Sequence, residues 1–204
     1  MTVATTNDLV RIGAKLYAEN PEVIDLEAYV PLFHGWIQRR GLDGVPIDVA
    51  DYAHVPDGPG VMLIGHEADR SIDLGEGRPG VLLIGHEADR SLDLGEGRPG
   101  VLYQRKRGGE GTLEDRFAAA IEAADELADE VEGDPAADGV RFGRDEILIR
   151  VNDRLSALND DATLDALRPA IEAALARARP GRAAAVARVT EDPRGPFRAR
   201  VVLT

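Results

Sequence analysis

The chain has no cysteine, only two lysines and no apolar run long enough to cross a bilayer. Without cysteine it forms no disulfide, holds no iron–sulfur cluster or thiolate zinc site, and has no thiol nucleophile. Any metal site must therefore use histidine and carboxylates. A bilayer span needs about 18 consecutive apolar residues, and Met1–Asp8 has neither the basic n-region nor the apolar h-region of a secretory signal. These absences predict a cytoplasmic protein with no membrane partner.

Positive charge is also scarce, because 24 Lys+Arg residues stand against 37 Asp+Glu residues and give a formal net charge of −13. Nucleic-acid affinity comes largely from cations that release counterions from phosphates, so we expect no nucleic-acid partner. A chain of 204 residues with 44% hydrophobic content has a globular composition. A chain of this length buries roughly 70% of its unfolded surface, which predicts a substantial core.

A tandem repeat is the most prominent feature of the chain. Residues 61–80 read VMLIGHEADRSIDLGEGRPG and residues 81–100 read VLLIGHEADRSLDLGEGRPG, so 18 of 20 positions are identical. Solenoids need about three or more copies, and a near-perfect doublet instead indicates a recent or engineered duplication. Each unit has an apolar run, a polar turn, a short second run and a Gly-Pro turn. That order is typical of a β-hairpin.

The duplication leaves two structural outcomes open. Either the sheet widens by one hairpin, or one unit fills the parental position while the other loops out, since doubling a loop costs only about 0.6 kcal/mol. When two near-identical segments can occupy the same position in the sheet, the strand register is weakly specified. This favours strand exchange between chains. We expect a homo-oligomer that forms through a sheet edge or by such exchange.

Residues 1–41 are predicted to be a helical N-terminal segment. Leu9, Ile12 and Leu16 keep helical spacing, and Pro31 suits the first position of a second helix.

The remainder of the chain combines strands and helices. Residues 47–107 are predicted to form an antiparallel β-meander that contains both repeat units. Residues 112–204 are predicted to run helix, strand, helix and hairpin, with Thr112 and Asp115 placed for a capping box. The chain is therefore predicted to be one α+β domain over residues 1–204, with an antiparallel or mixed sheet covered by helices.

Four short segments carry a family resemblance: PLFHGWIQ at 31–38, IDVADYAHVPDGPG at 47–60, GHE at 65–67 and YQRKR at 103–107. Through them the chain resembles bacterial proteins of uncharacterised function that have the hairpin unit once. The resemblance covers roughly the middle third of the chain and departs at the duplicated unit. It implies a single-copy ancestor and carries no catalytic signature.

Histidines and acids in the predicted meander form the first candidate site. Two imidazoles with carboxylates can bind zinc, manganese or iron, and the metal can activate a water molecule. The spacing matches neither H-x-x-x-H nor H-E-x-x-H, so histidines that stabilise turns are the alternative interpretation. The candidate catalytic residues are His54, Asp51 and Glu67, and the candidate metal ligands are His54, His66, His86, Glu67 and Glu87.

The segment RKRGGEGT at residues 105–112 forms the second candidate site, because it joins a strand to a helix start through a glycine loop. Free amides at a helix N-terminus, together with three cations, can bind a phosphate or a carboxylate. The segment lacks the G-x-x-x-x-G-K-[ST] spacing, and an exposed loop is the alternative. The candidate ligand-binding residues are Arg105, Lys106, Arg107, Gly109, Gly111 and Thr112.

The sequence contains no catalytic motif, and none of its three serines lies in a G-x-S-x-G elbow. We therefore expect a non-catalytic binding or assembly module. A metal-assisted or acid–base hydrolase at the histidine site is one alternative. A binder of a small anionic ligand at residues 105–112 is the other. The sequence names no cofactor.

Overall fold

The computed structural model describes residues 9–25, 28–29, 31–33, 35–36, 47–51, 61–65, 79–84, 88–94, 97–107, 110–190 and 194–204, with the backbone alone at 47–51, 61–65, 79–84 and 89. In chain order the described elements are β1 (Ile12–Ala18), β2 (Ile47–Asp51), β3 (Val61–Gly65), β4 (Pro79–Ile84), β5 (Ala88–Asp93), β6 (Gly100–Arg105), α1 (Leu113–Glu132), β7 (Phe142–Val151), α2 (Asp161–Ala178), β8 (Ala184–Arg188) and β9 (Phe197–Leu203). Short 3-10 turns lie at Pro21–Val23 and Pro135–Ala137.

The described strands form one sheet in the order β2-β3-β4-β5-β6-β1-β7-β9-β8. From β5 to β8, six neighbouring strands pair antiparallel throughout. An antiparallel sheet with its helices segregated to one side is an α+β architecture. The predicted fold class is therefore confirmed.

The described helices pack on one face of the sheet. Helix α1 buries Phe117, Ile121 and Ala124 at spacings of three and four, as expected for an amphipathic helix. These side chains join a core cluster that also includes buried residues of α2, of the helical residues 28–29, 31–33 and 35–36, and of six strands. The described helices thus cover a single face of the sheet.

The predicted helix through Leu9, Ile12 and Leu16 is wrong, because Ile12–Ala18 form strand β1. Ile12 and Leu16 are four residues apart, a separation that places them on one face of a strand as well as of a helix. Pairing with β6 on one side and β7 on the other decides between the two, since tertiary context overrides local propensity. Residues 28–29, 31–33 and 35–36 are helical, which confirms the second predicted helix at those positions.

The strands of the two repeat units do not all pair antiparallel, as the predicted meander requires. In the second unit, β4 and β5 form the predicted antiparallel hairpin. Strand β3 of the first unit pairs with β4 in parallel, with Val61 opposite Val81 and Met62 opposite Leu82. An all-antiparallel meander is therefore wrong at this junction. A parallel pair needs a connection of about a dozen residues or more, and residues 66–78, which lie outside the described residues, supply that length.

The C-terminal third matches its prediction. Helix α1 begins after Thr112 with the expected capping box to Asp115, and β8 pairs with β9 as an antiparallel hairpin. Across the part of the chain that the structure describes, no helix is both long enough and apolar enough to cross a membrane.

Candidate functional site

The predicted histidine site lies almost wholly outside the described residues. Only Asp51 is described, at the end of β2 and opposite Val61 of β3, through its backbone. The candidates outside the described residues are His54, His66, His86, Glu67 and Glu87. In the described ranges no group of three or more histidine or carboxylate side chains could hold a metal ion. The metal and acid–base roles of these residues stay predictions.

The predicted anion loop begins where β6 ends, at Arg105, and finishes at the N-cap of α1. There the Asp115 carboxylate accepts hydrogen bonds from the Thr112 amide at 2.8 Å and the Thr112 hydroxyl at 2.7 Å. Arg177 donates to the other Asp115 oxygen at 2.8 Å. The hydrogen bonds from Thr112, followed by the one from Arg177, lower the pKa of Asp115 to about 2. The start of α1 thus already binds a carboxylate of the chain itself.

Among the candidate residues of this loop, Gly109 lies outside the described residues and Thr112 is committed to the cap. Gly111 has a φ of +81°, and its carbonyl accepts a hydrogen bond from Arg116 at 3.2 Å. The ligand-binding role of Arg105, Lys106 and Arg107 stays a prediction.

The sheet face opposite the helices carries an unpredicted group of polar side chains. Along β1, Ala14 and Leu16 join the helix-covered core, so the alternation of a strand directs Lys15 and Tyr17 to the opposite face. Tyr17 packs there with Leu148 in a separate small cluster. We call this surface the polar face and define it by Lys15, Tyr17, Ser91, Asp93, Arg98, Gln104, Glu146, Arg150, Arg198 and Arg200.

Lys15 and Asp93 form a buried ion pair at the centre of the polar face. The Lys15 ammonium lies 2.5 Å from Asp93 Oδ2, and the two side chains are 1% and 6% exposed. The second carboxylate oxygen, Oδ1, is buried and accepts no hydrogen bond from the described residues. The ammonium also lies 5.2 Å from the centre of the Tyr17 ring, within range of a cation–π interaction. This pair joins β1 to the second repeat unit.

A second ionic group lies beside it. Arg98 binds both oxygens of Glu146, at 2.6 and 3.0 Å, and its guanidinium lies 3.7 Å from the centre of the Tyr17 ring. Arg200 approaches Glu146 at 3.1 Å. The hydrogen bonds from Arg98 hold the pKa of Glu146 below its ordinary value. Both described carboxylates of the polar face, Asp93 and Glu146, are therefore engaged by cations of the same face.

Arg150 and Arg198 occupy directly opposite positions on β7 and β9. Each is only 8% exposed. Both guanidinium groups have interactions within the chain. Their pairing places two positive charges side by side on the polar face.

Gln104 and Gly13 continue the same row of the sheet, since Gly13 is opposite Gln104 on one side and Arg150 on the other. A Cβ at position 13 would lie 2.7 Å from Gln104 Oε1, so glycine is needed for the glutamine side chain to cross β1. Gln104 Oε1 is buried and accepts no hydrogen bond within the described part of the chain. The row thus combines two guanidinium groups with a buried carbonyl acceptor.

The arginines of the polar face have the geometry that binds oxyanions. Arginine stays protonated near neutral pH and does not act as an acid or a base. Its planar guanidinium group can donate two parallel hydrogen bonds to a carboxylate or a phosphate. The Ser91 side chain is nearly fully buried, and its hydroxyl lies 3.5 Å from the Leu102 carbonyl, an arrangement unlike that of an activated nucleophile. The arginines of the polar face therefore offer charge and hydrogen bonds.

Sequence reasoning missed these residues, although one signal for them is present. Ile147, Ile149 and Val151 alternate on the predicted strand, so Arg150 had to lie on the opposite face. Arg198 alternates in the same way on the last strand. What the sequence does not contain is the register that places Arg150 beside Arg198.

Comparison with protein-family models, with curated proteins and with solved structures finds no match to this chain.

Proposed function

We propose that this chain is a non-catalytic binding module that takes a small anionic ligand beside Arg150 and Arg198 on the polar face. The observation that carries the proposal is the direct pairing of these two buried arginines across β7 and β9. A dianion or a carboxylate beside them can accept hydrogen bonds from both guanidinium groups. It also uses the bidentate geometry in which arginine binds most strongly.

The balance of charge on the polar face supports an anionic ligand. The whole chain carries a formal charge of −13, yet cations outnumber carboxylates among the described side chains of this face. The cations are Lys15, Arg98, Arg150, Arg198 and Arg200, and the carboxylates are Asp93 and Glu146. A local positive potential inside an acidic protein selects small anions and repels large acidic polymers.

The position of the predicted anion loop adds to this support. Gln104 and Arg150 flank Gly13 on opposite sides, so their Cα atoms are about 10 Å apart. Arg105, Lys106 and Arg107 follow Gln104 directly. The two candidate groups of cations therefore lie at the same end of the sheet, and we propose that the loop residues contribute to binding the same ligand.

Thermal denaturation with a panel of anions tests the proposal. The panel contains phosphate, sulfate, citrate and a nucleoside monophosphate, each compared with sodium chloride at matched ionic strength. A ligand at 100 times its dissociation constant adds about 2.7 kcal/mol to the free energy of unfolding, and at least one anion is expected to do so. If none raises the melting temperature above the chloride control, the proposal is wrong.

Variants assign the effect to the arginine pair. Arg150→Gln and Arg198→Gln are each expected to abolish the ligand-dependent increment, which is measured against the same variant without ligand and is therefore independent of basal stability. Arg182→Gln is the matched control, because Arg182 is exposed and bonds Asp145 at 3.0 Å away from this row. Its increment is expected to equal that of the unaltered chain.

The hydrolase alternative rests on Asp51, which is described through its backbone alone, and on residues outside the described ranges. It stays a prediction, as do the cytoplasmic location and the single-copy ancestor. Assembly into a homo-oligomer also stays a prediction, and its test is given in the Discussion.

A further inference from the structure

The Gln104 side chain reaches from β6 over the neighbouring strand β1. Its Oε1 atom lies 2.7 Å from the position that a Cβ of Gly13 would take. Gly13 is paired with Gln104 on one side and with Arg150 on the other, so the amide oxygen lies on the polar face of β1, one strand away from Arg150. The Cα atoms of Gly13 and Arg150 are about 5 Å apart. One small molecule can therefore contact both the amide oxygen and the arginine.

A backbone contact sets the orientation of this amide. Gln104 Nε2 donates a hydrogen bond to the Arg105 carbonyl at 3.2 Å. If the amide were turned by 180°, two carbonyl oxygens would face each other there and the hydrogen bond would be lost. The atom that lies over β1 is therefore the oxygen, which accepts hydrogen bonds and does not donate them.

The Gln104 oxygen is buried and accepts no hydrogen bond from the described residues. The residue as a whole is 9% exposed, so bulk solvent is largely excluded from it. An unsatisfied buried acceptor costs free energy, and such groups are uncommon in native structures. A ligand that brings a hydrogen-bond donor to Oε1 recovers this free energy when it binds.

We infer that the anion bound beside Arg150 and Arg198 is one that also carries a hydrogen-bond donor, and that Gln104 Oε1 accepts the hydrogen bond from it. This inference rests on the proposed function, because it specifies which class of anion the same site selects. Hydrogen phosphate and hydroxycarboxylates belong to this class. Sulfate and simple carboxylates have only acceptor oxygens near neutral pH, and they leave Oε1 unsatisfied.

Two matched pairs of anions test the inference on the unaltered chain. Phosphate is compared with sulfate at pH 8, where both are tetrahedral dianions and only phosphate keeps a proton. Citrate is compared with tricarballylate, which has all the carboxylates of citrate and lacks its hydroxyl group. Isothermal titration calorimetry at matched ionic strength gives the dissociation constants. In each pair of which a member binds, we expect the anion with the donor to bind at least about tenfold more tightly.

The outcomes for the inference and for the proposed function are distinct. Equal affinities within such a pair, or tighter binding of sulfate or tricarballylate, would leave an anion site in place but overturn the inference. Failure of all four anions to bind would overturn it as well. The wider anion panel given above decides separately whether the proposed function fails.

Substitution of Gln104 assigns the preference to its amide oxygen. Gln104→Met keeps the length of the side chain and removes the acceptor, so the preference for phosphate over sulfate is expected to fall below about twofold. Sulfate binding is expected to persist, because the arginine pair is unchanged. Arg182→Gln is the control and should keep the full preference. A Gln104→Met chain that keeps it too would overturn the inference, and should this variant not fold, the two pairs of anions on the unaltered chain still decide.

Discussion

Lys15 is a fully buried cation in a central strand of the antiparallel part of the sheet, and its partner Asp93 lies 78 residues away in the sequence. A buried ion pair adds little net stability compared with apolar residues of the same size, but loss of one partner is costly. The main effect of the pair is therefore to specify the strand register, because it restricts which residues can lie beside β6 and β1.

Removal of the lysine alone is expected to destabilise the fold. Lys15→Met leaves the Asp93 carboxylate buried without this cation and should lower the free energy of unfolding by about 3–5 kcal/mol. Lys15→Met combined with Asp93→Leu should recover most of that loss, because neither charge then remains. Chemical denaturation of the three chains measures both steps, and equal losses in the single and double variants would be inconsistent with a stability cost that comes from the isolated carboxylate.

Asp115 gives a prediction for acid pH. Its pKa is about 2 in the fold, where Thr112 and Arg177 bond the carboxylate, against an ordinary value of 3.8. Because the folded-state pKa is the lower one, the charged group stabilises the fold fully above the ordinary value, and this contribution is lost as the pH falls through about 2.

Asp115→Asn removes the charge and most of this pH dependence. Urea midpoints of the two chains at pH 7, 4, 3 and 2 should differ most at pH 7 and converge towards pH 2. Other carboxylates titrate in the same range, so the quantity to follow is the difference between the two chains. A constant difference across the whole range would show that the Asp115 charge contributes nothing.

At the scale of elements, the sequence predicts best where local signals and tertiary pairing agree. Helix α1 has a cap residue, an acidic N3 position and an unbroken apolar stripe, and the structure has it at Leu113–Glu132. The helix prediction for the residues of β1 was wrong because this strand is buried on both faces. A central strand of this kind lacks the simple alternation of an edge strand, and Lys15 obscures it further.

The candidate site was less predictable than the fold for a physical reason. Alternation places Arg150 and Arg198 on the outer face of their strands, but only the register of β7 against β9 brings them together. Register is fixed by non-local packing and by turn geometry. No local pattern encodes it.

Deletion of either repeat unit is expected to leave a folded protein. Without residues 81–100, the remaining unit is expected to lie between β2 and β6, because these strands pair with the two units in the intact chain. Deletion of 61–80 is the matched control, since the two products differ at only two positions. Circular dichroism during unfolding should give free energies of unfolding that agree within about 1.5 kcal/mol. An unfolded product would mean that both units belong to the obligatory core.

At the scale of the whole molecule, charge is unevenly distributed. Exposed acids such as Glu122 and Glu126 lie on the outer side of α1. On the other side of the sheet, most of the cations of the polar face are arginines. Long-range repulsion between acidic surfaces keeps large anionic partners away. The uneven distribution is consistent with a small anion as the ligand.

Assembly is tested on the intact chain. The strands at the two margins of the described sheet, β2 and β8, have one edge each without a described neighbour, and edges of this kind favour strand pairing between chains. Native mass spectrometry is expected to give multiples of the 21.9 kDa chain. A strict monomer at micromolar concentration would contradict the predicted homo-oligomer.

The parallel pairing of β3 with β4 joins Val61 and Met62 of the first unit to Val81 and Leu82, the same positions of the second unit. A third unit inserted between them would find a strand of its own sequence on both sides, so its arrival would require no new complementary surface. Unequal crossing-over between segments that share 18 of 20 positions can therefore lengthen or shorten the array while the helices and the last four strands stay as they are. We therefore expect that recombination can change the number of units without selection for a new fold.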